Sequence, residues 1–168
     1  MKILFRNSYI KNREWAKDMF RYISFRQPKI IVMDVYLFLC ICLGFFNLIV
    51  YKVIDVNLFL IVIIVKILQV FLYITNVNIT LKRNLEMHGK PIEVTFTVAD
   101  EYITMLQSTG SESYLNYVDI KKAFQTKKYI YLQTKAKLLY PFKKDGFSVG
   151  NVEEFLCFLK DKNIKMKK

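Results

Sequence analysis

The 168-residue chain is 54% hydrophobic and 15% aromatic, and it carries a formal net charge of +12. Both fractions are high for a soluble domain of this size. Residues 1–29 hold eight basic and two acidic side chains, and residues 76–168 hold sixteen and ten, so each segment carries +6. Residues 30–75 are neutral. A neutral apolar middle between two basic ends is typical of a membrane protein and argues against a nucleic-acid binder.

The first segment, residues 1–29, is predicted to be cytoplasmic. "MKILFRN" alternates apolar and polar residues, which predicts a short strand, and "SYIKNREWAKDMFRYISFRQP" has helical spacing. Ser8 is the predicted N-cap of this helix and Pro28 its stop. The helix is amphipathic and basic. Two placements are therefore open: the lipid head-group zone, or packing on the domain at the other end of the chain.

Residues 30–75 predict a transmembrane hairpin. Its spans are residues 30–51 and 56–75, each about 20 residues, which is enough to cross roughly 30 Å of hydrocarbon. The second run is apolar on every side, which disfavours the alternative of soluble core helices. Because the flanking segments are basic and the turn "KVID" is not, the positive-inside rule places both termini in the cytoplasm. We expect a multi-pass protein of the inner (cytoplasmic) membrane.

A lysine in the middle of the second span, Lys66, raises the question of what it contacts. Residues three and four apart share a helix face, and this spacing predicts a polar stripe on each span. Small and polar residues are typical of helix–helix interfaces in lipid. A hairpin centred near residues 53–54 places Lys66 level with Ile41 and about 10 Å from the level of Asp34. The candidate interface residues are Asp34, Gly44, Asn47, Lys66, Gln69 and Tyr73.

Three roles for Lys66 stay open from the sequence: snorkelling or packing within the hairpin, contact with a partner or a second copy, and transport chemistry. Two spans cannot enclose an ion path alone, so a role in transport requires an oligomer or a partner protein.

Beyond a connector at residues 76–90, residues 91–168 change to a period of two, which predicts antiparallel strands. "NVEEFLCFLKDK" then returns to helical spacing, with Asn151 as the cap. The fold class predicted for the chain is an α+β membrane protein: a two-helix transmembrane hairpin, then a small antiparallel β-barrel or roll with a C-terminal helix. The predicted strands are "IEVTFTV", "EYITMLQ", "YLNYV", "AFQT", "YIYLQT" and "KLLYPF".

The stretch "FTVADEYITMLQSTGSESYLNYVDIKKAFQTKKYIYLQTKAKLLYPFKKDGF" resembles the C-terminal domain of YcxB-like bacterial membrane proteins. The resemblance rests on the order of a strand, an acidic dipeptide, a second strand and an aromatic residue before an isoleucine. It departs at Tyr117, where tryptophan is more usual, and in Tyr140–Phe142, where the strand is normally more aliphatic. The resemblance implies a pleckstrin-homology-like (PH-like) fold and two preceding membrane helices. The residues that carry it are Phe96, Asp100, Glu101, Tyr102–Leu106, Tyr117, Ile120, Tyr129–Gln133, Pro141 and Lys143.

Residues with catalytic or metal-binding chemistry are sparse. His88 has only Glu86 near it, and Cys40, Cys42 and Cys157 have no ligand spacing. Neighbouring carboxylates diverge on helices and strands. We therefore predict no catalytic, cofactor-binding or metal-binding residues and no enzymatic activity.

Lysines at strand ends and turns are the remaining candidates for a site. They would hold the domain against anionic lipid head groups, or they are solvated loop charges. The sequence predicts a membrane-tethered binding or scaffolding module, with a homo-oligomer or another membrane protein as further partners. The alternatives are a self-protection (immunity) factor against membrane-active peptides and an accessory subunit of a transporter. The candidate lipid-contact residues are Lys121, Lys122, Lys127, Lys128, Lys143 and Lys144.

Overall fold

A computed structural model describes residues 2–52, 54 and 56–167. The chain divides into two compact units, which we name the helical unit (residues 19–83) and the sheet unit (residues 1–18 and 84–168). The helices are α1 (Arg13–Phe25), α2 (Pro28–Tyr51), α3 (Val56–His88) and α4 (Val152–Asp161), with a 3-10 turn at Tyr117–Asp119. The strands are β1 (Phe5–Ile10), β2 (Glu93–Val98), β3 (Tyr102–Gln107), β4 (Glu112–Asn116), β5 (Ile120–Gln125), β6 (Tyr129–Thr134), β7 (Leu139–Lys143), β8 (Phe147–Val149) and β9 (Met166–Lys167).

The two predicted spans are confirmed as helices that are long and apolar enough to cross a membrane. α2 covers 30–51 and begins two residues earlier, at Pro28. Pro28, the predicted stop of α1, is therefore also the first residue of α2. Proline is favoured in the first turn of a helix, where its missing N–H costs no hydrogen bond. Val53 and Asp55 of the predicted turn lie outside the described residues, and Lys52 has a left-handed backbone with φ 57°.

The second helix is longer than its predicted span. α3 has 33 residues and continues through most of the segment set apart as the connector 76–90. No glycine or proline interrupts residues 56–88. The helix ends where Gly89 takes φ +66°, a conformation that glycine adopts without strain. At 1.5 Å per residue α3 is about 50 Å long, well beyond the roughly 30 Å of a hydrocarbon core.

The boundary between the first strand and the first helix differs from the prediction. Ser8 is not an N-cap: it lies in β1, opposite Thr95 of β2. α1 begins at Arg13, and the Asn12 side chain accepts a hydrogen bond from the Trp15 backbone N–H (3.0 Å). Pairing with β2 over six residues outweighs the local capping signal of Ser8.

The N-terminal strand belongs to the sheet unit. The first sheet has the order β4-β3-β2-β1-β8, so β1 pairs on both sides, with β2 and β8. Residues 91–168 therefore lack one central strand of their own sheet. The alternation of apolar and polar residues in "MKILFRN" predicts a strand, but it does not specify the strand with which this one pairs.

The antiparallel β-region is confirmed, but it forms two open sheets in place of the single predicted barrel or roll. The second sheet has the order β7-β6-β5-β9, and β5–β9 is a parallel pair. Asn7 of β1, fully buried, links the two sheets. Its amide donates to the Lys143 carbonyl (2.7 Å) and accepts from the Lys143 N–H (3.0 Å). The Asn7 side chain thus makes the two hydrogen bonds to the β7 backbone that a paired strand would otherwise make.

Aromatic side chains form the core of the sheet unit. Phe96 of β2 stacks on Phe142 of β7 with ring centroids 4.3 Å apart, and Phe142 packs on Phe155 of α4 at 4.8 Å. The predicted C-terminal helix is confirmed together with its cap, because Asn151 Oδ1 accepts from the Glu154 N–H at 2.9 Å.

Candidate functional site

The first candidate site is a polar cluster between the helices of the helical unit. Lys66 Nζ lies 2.6 Å from Asp34 Oδ1 and 3.2 Å from Gln69 Oε1. The Gln69 amide, which is buried, donates to the Ser24 carbonyl of α1 at 2.7 Å. Three helices therefore contribute to one chain of hydrogen bonds, and the ammonium and the carboxylate neutralise each other.

Packing between the helices of this unit involves two more of the predicted interface residues, Gly44 and Tyr73. Gly44 is buried, and a Cβ there would lie 2.9 Å from the Phe59 ring, so α2 and α3 approach closely at this glycine. The Tyr73 ring packs against Phe25 at 5.6 Å. Asn47 is half-buried on α2. Small residues that permit close approach are typical of helix pairs in lipid.

The register of the hairpin differs from the expected one. A hairpin centred at residues 53–54 would place Gly44 beside residue 63, yet Gly44 contacts Leu58 and Phe59. Lys66 pairs with Asp34, although the expected level of Lys66 was Ile41. In both contacts the α3 residue lies nearer the turn than the expected register would place it. This shift of α3 along α2 removes the axial separation of about 10 Å that was expected between Lys66 and Asp34.

The sheet unit holds a second candidate, a cavity of about 450 Å³ beside β1, β8 and the turn after β7. Tyr9, Tyr129 and the ion pair of Lys143 Nζ with Asp145 Oδ2 (3.1 Å) line it. Burial raises the pKa of Tyr9 and Tyr129 well above the usual value, so both phenols stay protonated at neutral pH. The protonated phenols and the paired lysine offer hydrogen-bond donors to a ligand in this cavity.

Asp18, at the end of the α1 segment that belongs to the sheet unit, contacts β6 and the turn before it. Asp18 Oδ2 accepts from the Tyr131 hydroxyl and from Thr126 Oγ1, each at 2.8 Å. Burial first, and then the Asp18 charge, raise the pKa of Tyr131. Glu14 pairs with Lys128. For residues 13–18, these contacts match the predicted alternative of packing on the C-terminal domain.

Neither this cavity nor the Asp18 network was predictable from the sequence. Their residues come from segments more than 100 positions apart, and the tyrosines and lysines read locally as ordinary strand and turn residues. They meet only in the folded sheet unit, where β1 pairs with β2 and β8 and Asp18 contacts β6.

The six candidate lipid-contact lysines do not share one surface. Lys127, Lys128, Lys143 and Lys144 lie at one end of the second sheet, where the Lys144 N–H donates to the Lys128 carbonyl (2.9 Å). Lys121 and Lys122 are the second and third residues of β5, about 10–13 Å along the strand from its last residue, Gln125, which adjoins that end. Lys128 and Lys143 are also paired with Glu14 and Asp145.

Metal-ligating side chains do not cluster in the part of the chain that the structure describes: no group of three or more His, Cys, Asp or Glu could hold an ion there.

The fold and the sites define a class of protein in which two long apolar helices are joined to an antiparallel-rich sheet unit with a C-terminal helix. Within that unit, residues 98–159 match the family model of the YcxB-like proteins. The match runs from the end of β2 into α4 and confirms the resemblance seen in the sequence. No curated protein and no solved structure matches the chain.

Proposed function

We propose that this chain is a membrane-tethered, non-catalytic binding or scaffolding module of the bacterial cytoplasmic membrane. α2 and the apolar part of α3 form the transmembrane hairpin, and both termini lie in the cytoplasm. The sheet unit, with a PH-like fold, carries the binding surfaces at the cytoplasmic face.

The observation that carries the proposal is the exposure of the apolar helices. Only 11% of the apolar window of α2, and 11% of that of α3, is buried. Core helices of a soluble domain bury their apolar side chains, since exposed apolar area costs about 25 cal/mol per Å² in water. In lipid the same side chains are in their preferred solvent.

The Asp34–Lys66 pair supports the same conclusion. A charged residue at the centre of a membrane helix costs about 2.5–3.5 kcal/mol on insertion scales. Direct pairing at 2.6 Å, with Gln69 as a further partner, offsets much of that cost. Asp34 is the seventh residue of α2, about 9 Å from its start, where the lysine stem also extends toward the basic flank.

The binding role is supported by the chemistry of the sheet unit. The cavity holds phenols and an ion pair, which suit recognition through hydrogen bonds, and Asp18, in the part of α1 that belongs to the sheet unit, bonds to β6. The open ends and edges of the two sheets offer further surfaces for a partner.

The topology is tested by thiol labelling in intact cells with a membrane-impermeant maleimide. Cys157 is exposed on α4, and Ile54→Cys places a thiol in the turn of a second variant that lacks the native cysteines. We expect Ile54→Cys to react in intact cells and Cys157 only after permeabilisation. Labelling of Cys157 in intact cells would reverse the orientation, and release of the chain by alkaline carbonate would refute membrane insertion.

A further inference from the structure

We propose that the edge of the second sheet formed by β5 and β9 binds the surface of an anionic lipid bilayer. Its four cationic side chains are Lys121, Lys122, Lys165 and Lys167, which we name the lysine edge. The inference rests on the membrane location proposed above. It replaces the six dispersed lysines of the sequence prediction with one contiguous group.

The pairing of β5 with β9 brings the four lysines together. Phe124 lies opposite Lys167, and the Ala123 N–H donates to the Lys165 carbonyl at 2.9 Å. Neighbouring strands lie about 4.8 Å apart, so lysines more than 40 positions apart in the chain are neighbours on the sheet. β9 is the last strand in the sheet order, which leaves its outer side open.

The lysine edge differs from the far end of the sheet in its ion pairs. None of its four ammonium groups makes an ion pair with any residue in the ranges that the structure describes, whereas Lys128 and Lys143 at the far end each have a carboxylate partner. Burial, and then the positive charges of Lys167 and Lys121, lower the pKa of Lys122. Like charges on adjacent strands destabilise the sheet, and an anionic surface relieves that repulsion.

The surroundings favour lipid over nucleic acid as the source of the negative charge. Binding of single-stranded nucleic acid uses exposed aromatic rings on which bases stack. Among the described residues, the aromatic ring beside Lys122 is that of Phe124, which is buried and stacked on Tyr131 at 5.2 Å. A row of flexible lysines without a stacking ring suits a plane of head groups, whose attraction falls off within a Debye length.

The test uses the full chain reconstituted in vesicles of phosphatidylcholine alone or of phosphatidylcholine with phosphatidylglycerol. A membrane-impermeant amine-reactive reagent modifies accessible lysines, and mass spectrometry gives the rate at each one. We expect anionic vesicles to slow modification of the lysine edge by about threefold or more, and high salt to restore it. Lys127 and Lys144 serve as internal controls and should change by less than about twofold.

A pair of charge-matched variants sharpens the result. K122Q/K167Q should bring the modification rates of Lys121 and Lys165 in anionic vesicles close to those in neutral vesicles. K127Q/K144Q removes the same charge from the other end and should leave the protection of the lysine edge unchanged.

Three outcomes overturn the inference: equal rates in both kinds of vesicle, equal protection at both ends of the sheet, or protection by added RNA without protection by anionic lipid. A separate carbonate wash distinguishes this failure from failure of the proposed function. If the chain stays in the vesicles but the lysine edge is not protected, only the inference is wrong. If the chain washes off, the membrane anchor itself is wrong.

Discussion

Two aromatic side chains of nearly equal exposure, Phe71 on α3 and Tyr114 on β4, show how differently the two units are built. Phe71 is 61% exposed and its exposed neighbours Leu68 and Leu72 are apolar; Tyr114 is 62% exposed between the polar Glu112 and Asn116. In the helical unit the Asp34–Lys66–Gln69 cluster lies between the helices, and many large apolar side chains lie on the outside. In the sheet unit the aromatic residues form the core. The two arrangements suit two solvents, lipid and water.

The largest expected effect comes from the core of the sheet unit. Phe142→Ala removes a fully buried ring that contacts Phe96 and Phe155, and should lower the free energy of unfolding by about 3–5 kcal/mol. Phe71→Ala removes a ring of the same size from the outside of α3 and should cost less than about 1 kcal/mol in detergent or lipid. Urea titration of the sheet unit's near-ultraviolet dichroism, within the full chain, measures the loss in Phe142→Ala, and thermal unfolding of the helical unit in mild detergent measures the loss in Phe71→Ala. Equal losses of unfolding free energy in the two variants would contradict the claim that one unit faces lipid and the other faces water.

The next effect concerns the polar cluster of the helical unit. Lys66→Leu leaves insertion intact but leaves the Asp34 carboxylate without its partner, which should cost about 2–3 kcal/mol of stability in mild detergent. The double variant Asp34→Leu/Lys66→Leu should recover most of that loss, as measured by thermal unfolding. A double variant no better than the single one would show that the pair does not matter to the helical unit.

The same series separates the roles that the sequence left open for Lys66. Loss of self-association or of a co-purified partner in the double variant, without loss of stability, would make the cluster an interface. An unchanged oligomeric state would limit its role to packing within the hairpin.

A smaller effect is expected at the link between the two sheets. Asn7→Ala leaves both backbone groups of Lys143 without their side-chain partner and should cost about 1–3 kcal/mol. Asn116→Ala, on the exposed face of β4, is the control and should stay within about 0.5 kcal/mol. Amide hydrogen exchange at Lys143 reports the change locally, and unchanged protection there would contradict the role given to Asn7.

The smallest effect is at the cap of α4. Asn151→Ala removes the hydrogen bond to the Glu154 N–H and should cost about 1 kcal/mol. Asn151→Asp keeps an acceptor and should be close to neutral. Should the alanine and aspartate variants unfold at the same urea concentration, the cap has no measurable role.

Patterns that depend on neighbouring residues were predictable from the sequence, and pairings between distant segments were not. The continuous apolar runs located α2 and the start of α3, and helical spacing with Asn151 located α4. Alternation located β2 to β7, although the YLNYV run ends in a 3-10 turn. β8 and β9 have three and two residues, too few for a period, and exist only because β1 and β5 offer them an edge.

The same distinction between local patterns and long-range pairings applies to the candidate site. Lys66, Gln69 and Asp34 were identifiable because polar residues are conspicuous in an apolar run. The register that brings Lys66 to Asp34 depends on the packing of Gly44 against Phe59, which the hairpin geometry alone did not predict. The contact of Lys128 was equally hidden, because its carboxylate partner, Glu14, lies on α1, more than 100 positions away.

The most direct test of the central claim compares Phe71 and Tyr114 by spin labelling. Single nitroxides at Phe71→Cys and Tyr114→Cys, in a full chain without native cysteines and reconstituted in vesicles, are exposed to oxygen and to a polar nickel chelate. If α3 crosses the bilayer, the label at position 71 collides mainly with oxygen and the label at position 114 mainly with nickel. Equal access of the nickel chelate to both labels would contradict a membrane-spanning helical unit.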